Sequence, residues 1–152
     1  SILKKKIDNF KIRLFMTKKP FTVEENTLAS EILSQMNKRK ITKINKLKFK
    51  PFNKYGKSIK GWSWHKISFD EKTNFGSYIS KLDPGTKTLP HIHTGYEEFL
   101  ILDGELIDSD GTVFKKGDFI SYQPNTTHSS HTKKGCLILT FMRGRNNQIK
   151  KK

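Results

Sequence analysis

Residues 85–104 read GTKTLPHIHTGYEEFLILDG, and residues 117–128 read GDFISYQPNTTH. His91 and His93 are separated by one residue, so on a strand both imidazoles project from the same face. Two nitrogen donors are thereby aligned by the backbone alone. Glu97 and Glu98 follow within reach after Thr94-Gly95-Tyr96, and His128 comes in later through two turns. A carboxylate with neutral imidazoles suits zinc, iron, nickel or manganese, and leaves a coordination position for water or substrate. Surface histidines on an edge strand would show the same local spacing, so the pair alone does not decide.

From Gly61 onward the chain consists of short apolar runs separated by turn pairs, the pattern of a sandwich or barrel. Strands are expected near 61–68, 75–82, 87–93, 97–103, 105–109, 112–114, 119–123, 127–132 and 136–142. The turn signals between them are Asp83-Pro84-Gly85, Asp110-Gly111, Lys115-Lys116-Gly117-Asp118, Pro124-Asn125 and Lys133-Lys134-Gly135. The class is all-β, with no internal repeat.

The first stretch has the form G-x5-H-x-H-x3-E-x6-G, from Gly85 through His91, His93 and Glu97 to Gly104. That is the first motif of the cupin superfamily, and every spacing fits. The second stretch resembles the second cupin motif: Gly117 feeds a strand, and a turn led by Pro124 delivers His128. The glycine usual after the proline is missing. Asn125 stands near its place, and Asn is the best non-Gly residue for a left-handed turn. Over roughly residues 48–143 the chain looks closest to the ChrR cupin-like family, the zinc-binding C-terminal domain of certain anti-sigma factors, and to small cupin dioxygenases. The resemblance implies a β-jelly-roll (double-stranded β-helix) barrel, a homodimer, and one divalent metal held by His91, His93, Glu97 and His128. Glu97 is preferred to Glu98 because only Glu97 keeps the six-residue gap to Gly104. His131, three residues past His128, is expected to point away from the metal. His65 beside Trp62 and Trp64 is read as structural, and Cys136 as an inert core thiol.

The chain of 152 residues carries a formal charge of +16 and a single cysteine. One cysteine allows neither an internal disulfide nor a four-thiolate zinc site. No run approaches the ~20 apolar residues of a membrane helix, so a soluble, cytoplasmic protein is expected. The charge is unevenly placed: residues 1–60 hold 17 Lys/Arg against 4 Asp/Glu, and residues 61–142 hold 8 against 10. Only four of the basic residues are arginines, and no nucleic-acid motif accompanies them. A solvated lysine-rich surface is therefore the preferred reading over a nucleic-acid or membrane contact.

Residues 1–47 are read as a basic extension, 48–143 as the cupin domain and 144–152 as a basic tail. Within the extension, residues 10–16 resemble a short strand, and a helix is expected near 22–39. Thr22 and Glu25 have capping-box spacing, Lys38, Arg39 and Lys40 favour the last turn, and Leu28, Ala29, Ile32, Leu33 and Met36 share a face. Between Lys40 and Lys60 a connector or irregular strand is expected.

Two functions follow as expectations. The first is a metal-dependent enzyme for a small-molecule substrate, dioxygenase-like, with iron or zinc as the foremost metals and manganese or nickel behind them. Tyr78, Tyr96 and Tyr122 are its candidate acids or hydrogen-bond donors, with packing as the alternative for each. The second is a non-catalytic zinc sensor of the ChrR type. The anti-sigma members carry an N-terminal zinc module with its own His and Cys ligands, and residues 1–60 contain neither residue.

Overall fold

The computed structural model describes residues 30–31 and 40–149. Ser1–Ile41 and Thr42–Lys152 form separate compact units. In the first, Ser30 and Glu31 are helical; the rest of the helix expected over 22–39, and the strand expected at 10–16, lie outside the described residues. Among the described residues no helix is long and apolar enough to cross a membrane.

Among the described residues the second unit begins with a short 3-10 turn at Ile44–Lys46 and continues through eleven strands, an all-β jelly roll. They are β1 (Lys50–Pro51), β2 (Trp62–Lys66), β3 (Phe75–Leu82), β4 (His91–His93), β5 (Tyr96–Asp108), β6 (Val113–Lys115), β7 (Phe119–Tyr122), β8 (Thr127–His128), β9 (Ser130–His131), β10 (Cys136–Arg143) and β11 (Asn146–Gln148). The larger sheet runs β1-β2-β3-β10-β5-β6, with β7 and β9 also pairing to β5. A smaller sheet has the order β11-β4-β8. The paired registers are antiparallel throughout. The segment read as a basic tail therefore contributes a strand, because Asn146, Asn147 and Gln148 find free backbone groups on β4.

Apolar residues alternate inward along these strands. Phe52, Trp62, Trp64, Tyr78, Leu82, Phe99, Ile101, Leu106, Ile138 and Met142 form one buried cluster. Phe52, just past β1, lies flat on Trp62 with ring centroids 3.8 Å apart, and Trp64 and Tyr78 meet edge to face at 5.4 Å. Offset and edge-to-face pairs of this kind add about 0.5–1.5 kcal/mol each beyond the area they bury. The Trp62 indole N–H, which would be costly to bury unpaired, donates to the Ser80 hydroxyl at 3.0 Å.

The sequence pattern placed two strands at 97–103 and 105–109; the structure has one continuous strand, β5, bent in the middle. Gly104 is at φ 78°, and the pairing register with β10 shifts between Leu137 and Ile138. This is a β-bulge, and a bulge changes which face a given parity presents. Glu97, Phe99 and Ile101 are buried before it, Leu106 and Asp108 after it. A methyl group on residue 104 would run into the carbonyl oxygen of Gly135. Gly104→Ala is expected to destabilise the fold by at least about 1–2 kcal/mol, the cost of a left-handed L-residue alone, read as a lower midpoint in denaturant unfolding.

Candidate metal centre

The smaller sheet assembles most of the site. His91 on β4 is directly opposite His128 on β8, and His93 on β4 is directly opposite Asn146 on β11. Cross-strand neighbours on one face hold their Cβ atoms about 4.5–5.5 Å apart, close enough for their side chains to share a ligand. Glu97 arrives from β5 in the larger sheet. His91, His93, Glu97 and His128 are all buried, and one donor atom from each lies within 4.8 Å of the other three. His93 has no solvent exposure.

The far nitrogen of each imidazole is tied down. His91 Nδ1 is 2.8 Å from the Leu89 carbonyl, which can only accept. His128 Nδ1 is 3.2 Å from an Asp108 carboxylate oxygen, also an acceptor. His93 Nδ1 is 2.9 Å from the Thr126 hydroxyl, whose proton goes to the Gln123 carbonyl at 2.6 Å, leaving the hydroxyl oxygen to accept. Each Nδ1 therefore carries the hydrogen, and in a neutral ring each Nε2 is left with a bare lone pair. Those lone pairs converge. Nε2 of His128 and His91 are 3.1 Å apart, and those of His91 and His93 lie 3.7 and 3.6 Å from the same Glu97 oxygen. Among the described residues His93 Nε2 is buried without a hydrogen-bond partner.

Three lone pairs and a carboxylate facing one point repel unless a cation sits between them. The donor set fits one divalent ion of the imidazole-preferring kind. Hydrogen bonds from the ligand rings to carbonyl, hydroxyl and carboxylate are the supports that metal-binding histidines use.

Electrostatics agree with this arrangement. Burial pushes the His93 pKa down, to about 4, against the pull of Glu97. Burial would raise that of Glu97, but His91 and the charges around it, Lys54 among them, hold it well below the usual carboxylate range. Burial likewise opposes ionisation of Asp108, yet hydrogen bonds from His128 and Tyr122 bring it down to about 2.

Asn146 donates to Glu97 from β11 and fixes the carboxylate. Glu98 faces the other way, taking a hydrogen bond from Ser121 at 3.3 Å and an ion pair from Arg143 at 2.9 Å. His131 is on β9 opposite Ile107 and outside the cluster. His65 bonds the Lys48 carbonyl at 3.0 Å, and the buried Cys136 thiol is pushed up to about 12 by burial. Of the three tyrosines, Tyr122 is beside the site: its hydroxyl donates to Asp108 and its ring centroid is 4.1 Å from that of His128. Tyr78 lines the adjoining cavity, while Tyr96 is exposed beneath the Arg143 guanidinium, 4.7 Å from its ring centroid.

Asp108, Thr126 and Asn146 were not singled out from sequence. Strict alternation from Glu97 would turn Asp108 outward; the bulge at Leu102, the residue skipped between the Ile101–Ile138 and Asp103–Leu137 pairs, turns it in, and nearby Gly104 was the available signal. Asn125, at φ 70°, takes the left-handed turn anticipated for it and donates its N–H to the His93 carbonyl at 2.8 Å, which sets Thr126 beside His93. Beside the cluster is a cavity of about 40 Å³, lined by His91, Glu97, His128 and Asn146 with Tyr55, Trp62, Tyr78 and Phe99 among its walls.

The family model described as the ChrR cupin-like domain matches residues 37–144. No curated protein matches by sequence. Among solved structures, an RmlC-like cupin protein from Ralstonia eutropha JMP134 is similar at TM-score 0.64 and 15% identity, covering 78% of this chain and 76% of that one. The polyketide cyclase RemF from Streptomyces resistomycificus is similar at TM-score 0.61 and 18% identity, with 76% and 88% covered. An acetylacetone dioxygenase from Acinetobacter johnsonii is similar at TM-score 0.61 and 19% identity, with 75% and 80% covered.

Two outcomes test the geometry. Asp108→Asn keeps the shape but weakens the acceptor that fixes His128, and it is expected to lower metal affinity about 10–100-fold in competition with a chromophoric chelator. Between pH 4 and 6.5 the unfolded chain takes a proton on His93 that the folded, metal-free chain refuses. Stability of the metal-free protein should therefore fall as pH drops through that window, and bound metal should leave over the same range. Both follow from denaturant midpoints and metal content measured across pH. The match over residues 37–144, on a jelly roll that brings the four motif side chains together, makes this chain a member of the ChrR cupin-like family.

Proposed function

We propose that the chain holds one divalent metal ion at His91, His93, Glu97 and His128 and acts on a small molecule there, as a dioxygenase-like enzyme. The observation that carries the reading is the convergence of three Nε2 lone pairs and one carboxylate, each held from behind by a hydrogen bond. A divalent ion held by these four residues would supply Lewis acidity and, if redox-active, electron transfer to a substrate bound beside it.

The chain's own residues do the rest. Leu89, Thr126 and Asp108 orient the three rings, and Asn146 orients the carboxylate. Trp62, Leu82, Phe99, Leu106 and Ile138 wall the cavity and exclude bulk water, while Thr88, Ser130 and Thr140 leave a few polar groups to direct a ligand. Tyr122, donating to Asp108, links the ring of His128 to a second proton-bearing group.

A second reading, a non-catalytic zinc sensor, draws on two features. Four protein ligands complete the tetrahedral shell of zinc, as in structural sites. The cavity of about 40 Å³ holds small molecules of the size of water, far below the roughly 300–1,000 Å³ of pockets for drug-sized ligands. Catalysis therefore requires the walls to part for substrate.

Metal identity separates the two. Protein purified anaerobically without an affinity tag is compared by elemental analysis with His91→Ala. Near-stoichiometric iron absent from the variant, with oxygen uptake on enolisable diketones, is the expected result. Stoichiometric zinc without oxygen uptake would support the sensor, and no metal in either sample would overturn both.

A further inference from the structure

A lysine is buried behind the rings that wall the centre's cavity, with no hydrogen-bond or ion-pair partner among the described residues. Lys54 is in the loop between β1 and β2; its ammonium nitrogen is shut off from solvent and has no hydrogen-bond partner among the described residues. Three rings surround it, Tyr55 at 5.9 Å, Phe69 at 5.4 Å and Tyr78 at 5.8 Å from the ring centroids. Tyr55 and Tyr78 also wall the cavity that contains His91, Glu97 and His128. Burial lowers the pKa of Lys54, and the field of Glu97 pulls it back up, so the charge is felt at the metal ligands without a hydrogen bond to them.

Such a placement is costly on two counts. Three aromatic faces compensate only part of the lost hydration of an ammonium. The same charge repels the ion for which the four ligands are arranged. A divalent ion with Glu97 and Lys54 leaves two net positive charges in buried, poorly screened surroundings. An incoming anion relieves both costs. Lysine, a compact charge on a flexible four-carbon stem, can swing toward it.

We propose that Lys54 is a specificity-determining residue that recognises the carboxylate of a small-molecule ligand at the metal centre, an inference that rests on the metal-bound reading above. The ligand class is then a small carboxylate-bearing compound, with one end on the metal and its anionic oxygens on the Lys54 ammonium. Charge-assisted hydrogen bonds in a dry site are the strong ones, and Lys54→Met removes them while preserving the stem that packs among the rings.

The test uses full-length protein reconstituted with zinc, which is redox-silent, and calorimetric titration with pyruvate and with its uncharged methyl ester. Wild type is expected to bind pyruvate at least about tenfold more tightly than the ester. Lys54→Met should lose that preference, Lys54→Arg should keep most of it, and zinc affinity of Lys54→Met should be equal or higher because a repelling charge is gone. A preference that survives in Lys54→Met, or is absent from wild type, overturns the proposal. So does loss of zinc or of thermal stability in Lys54→Met, which would make the lysine structural. Wild type that takes up no zinc would instead overturn the metal-bound reading itself.

Discussion

Three imidazole lone pairs and a carboxylate oxygen are forced to face one another inside the barrel, and most of the surrounding structure serves to keep them there. Left free, each ring would rotate to give its Nε2 a proton donor. The Leu89 carbonyl, the Thr126 hydroxyl and the Asp108 carboxylate prevent this by accepting from Nδ1. The tautomer is thus set from outside the cluster, and a cation bound there would relieve the repulsion inside it.

That constraint reaches back into the sheets. His91 and His93 share a face because strands alternate, and His128 and Asn146 reach them because β8 and β11 flank β4 in register. Glu97 and Asp108 both come from β5, although eleven positions apart they have opposite parity. One strand can place both inward only if it contains an odd irregularity, and the bulge at Leu102 provides it. The aromatic cluster around Phe52 and Trp62 anchors the loop that brings Tyr55 to the same cavity and Lys54 behind its ring.

Charge and space together narrow the chemistry. The site sets one anion, Glu97, in a small and largely apolar cavity, and behind two of that cavity's rings, Tyr55 and Tyr78, is the cation Lys54, without a hydrogen-bond partner among the described residues. In such surroundings electrostatic interactions are poorly screened, so the charge of a ligand weighs more than its bulk in deciding what stays bound.

The jelly roll and the four motif side chains were legible in the chain because both rest on local periodicity. A spacing of two fixes a strand face, turn residues mark where strands end, and Asn125 could stand in for glycine on conformational grounds alone. Asp108, Thr126, Asn146 and Lys54 were not legible, since each matters through partners distant in sequence. Asp108 depends on a bulge that reverses alternation, Asn146 on a strand pairing made by a segment that reads as a charged tail, and Lys54 on rings contributed by three separate elements. Sequence determines which groups can bind a metal; the tertiary structure decides which of their lone pairs are exposed to one, because for His93 and His128 it is Thr126 and Asp108, distant along the chain, that choose where the proton sits.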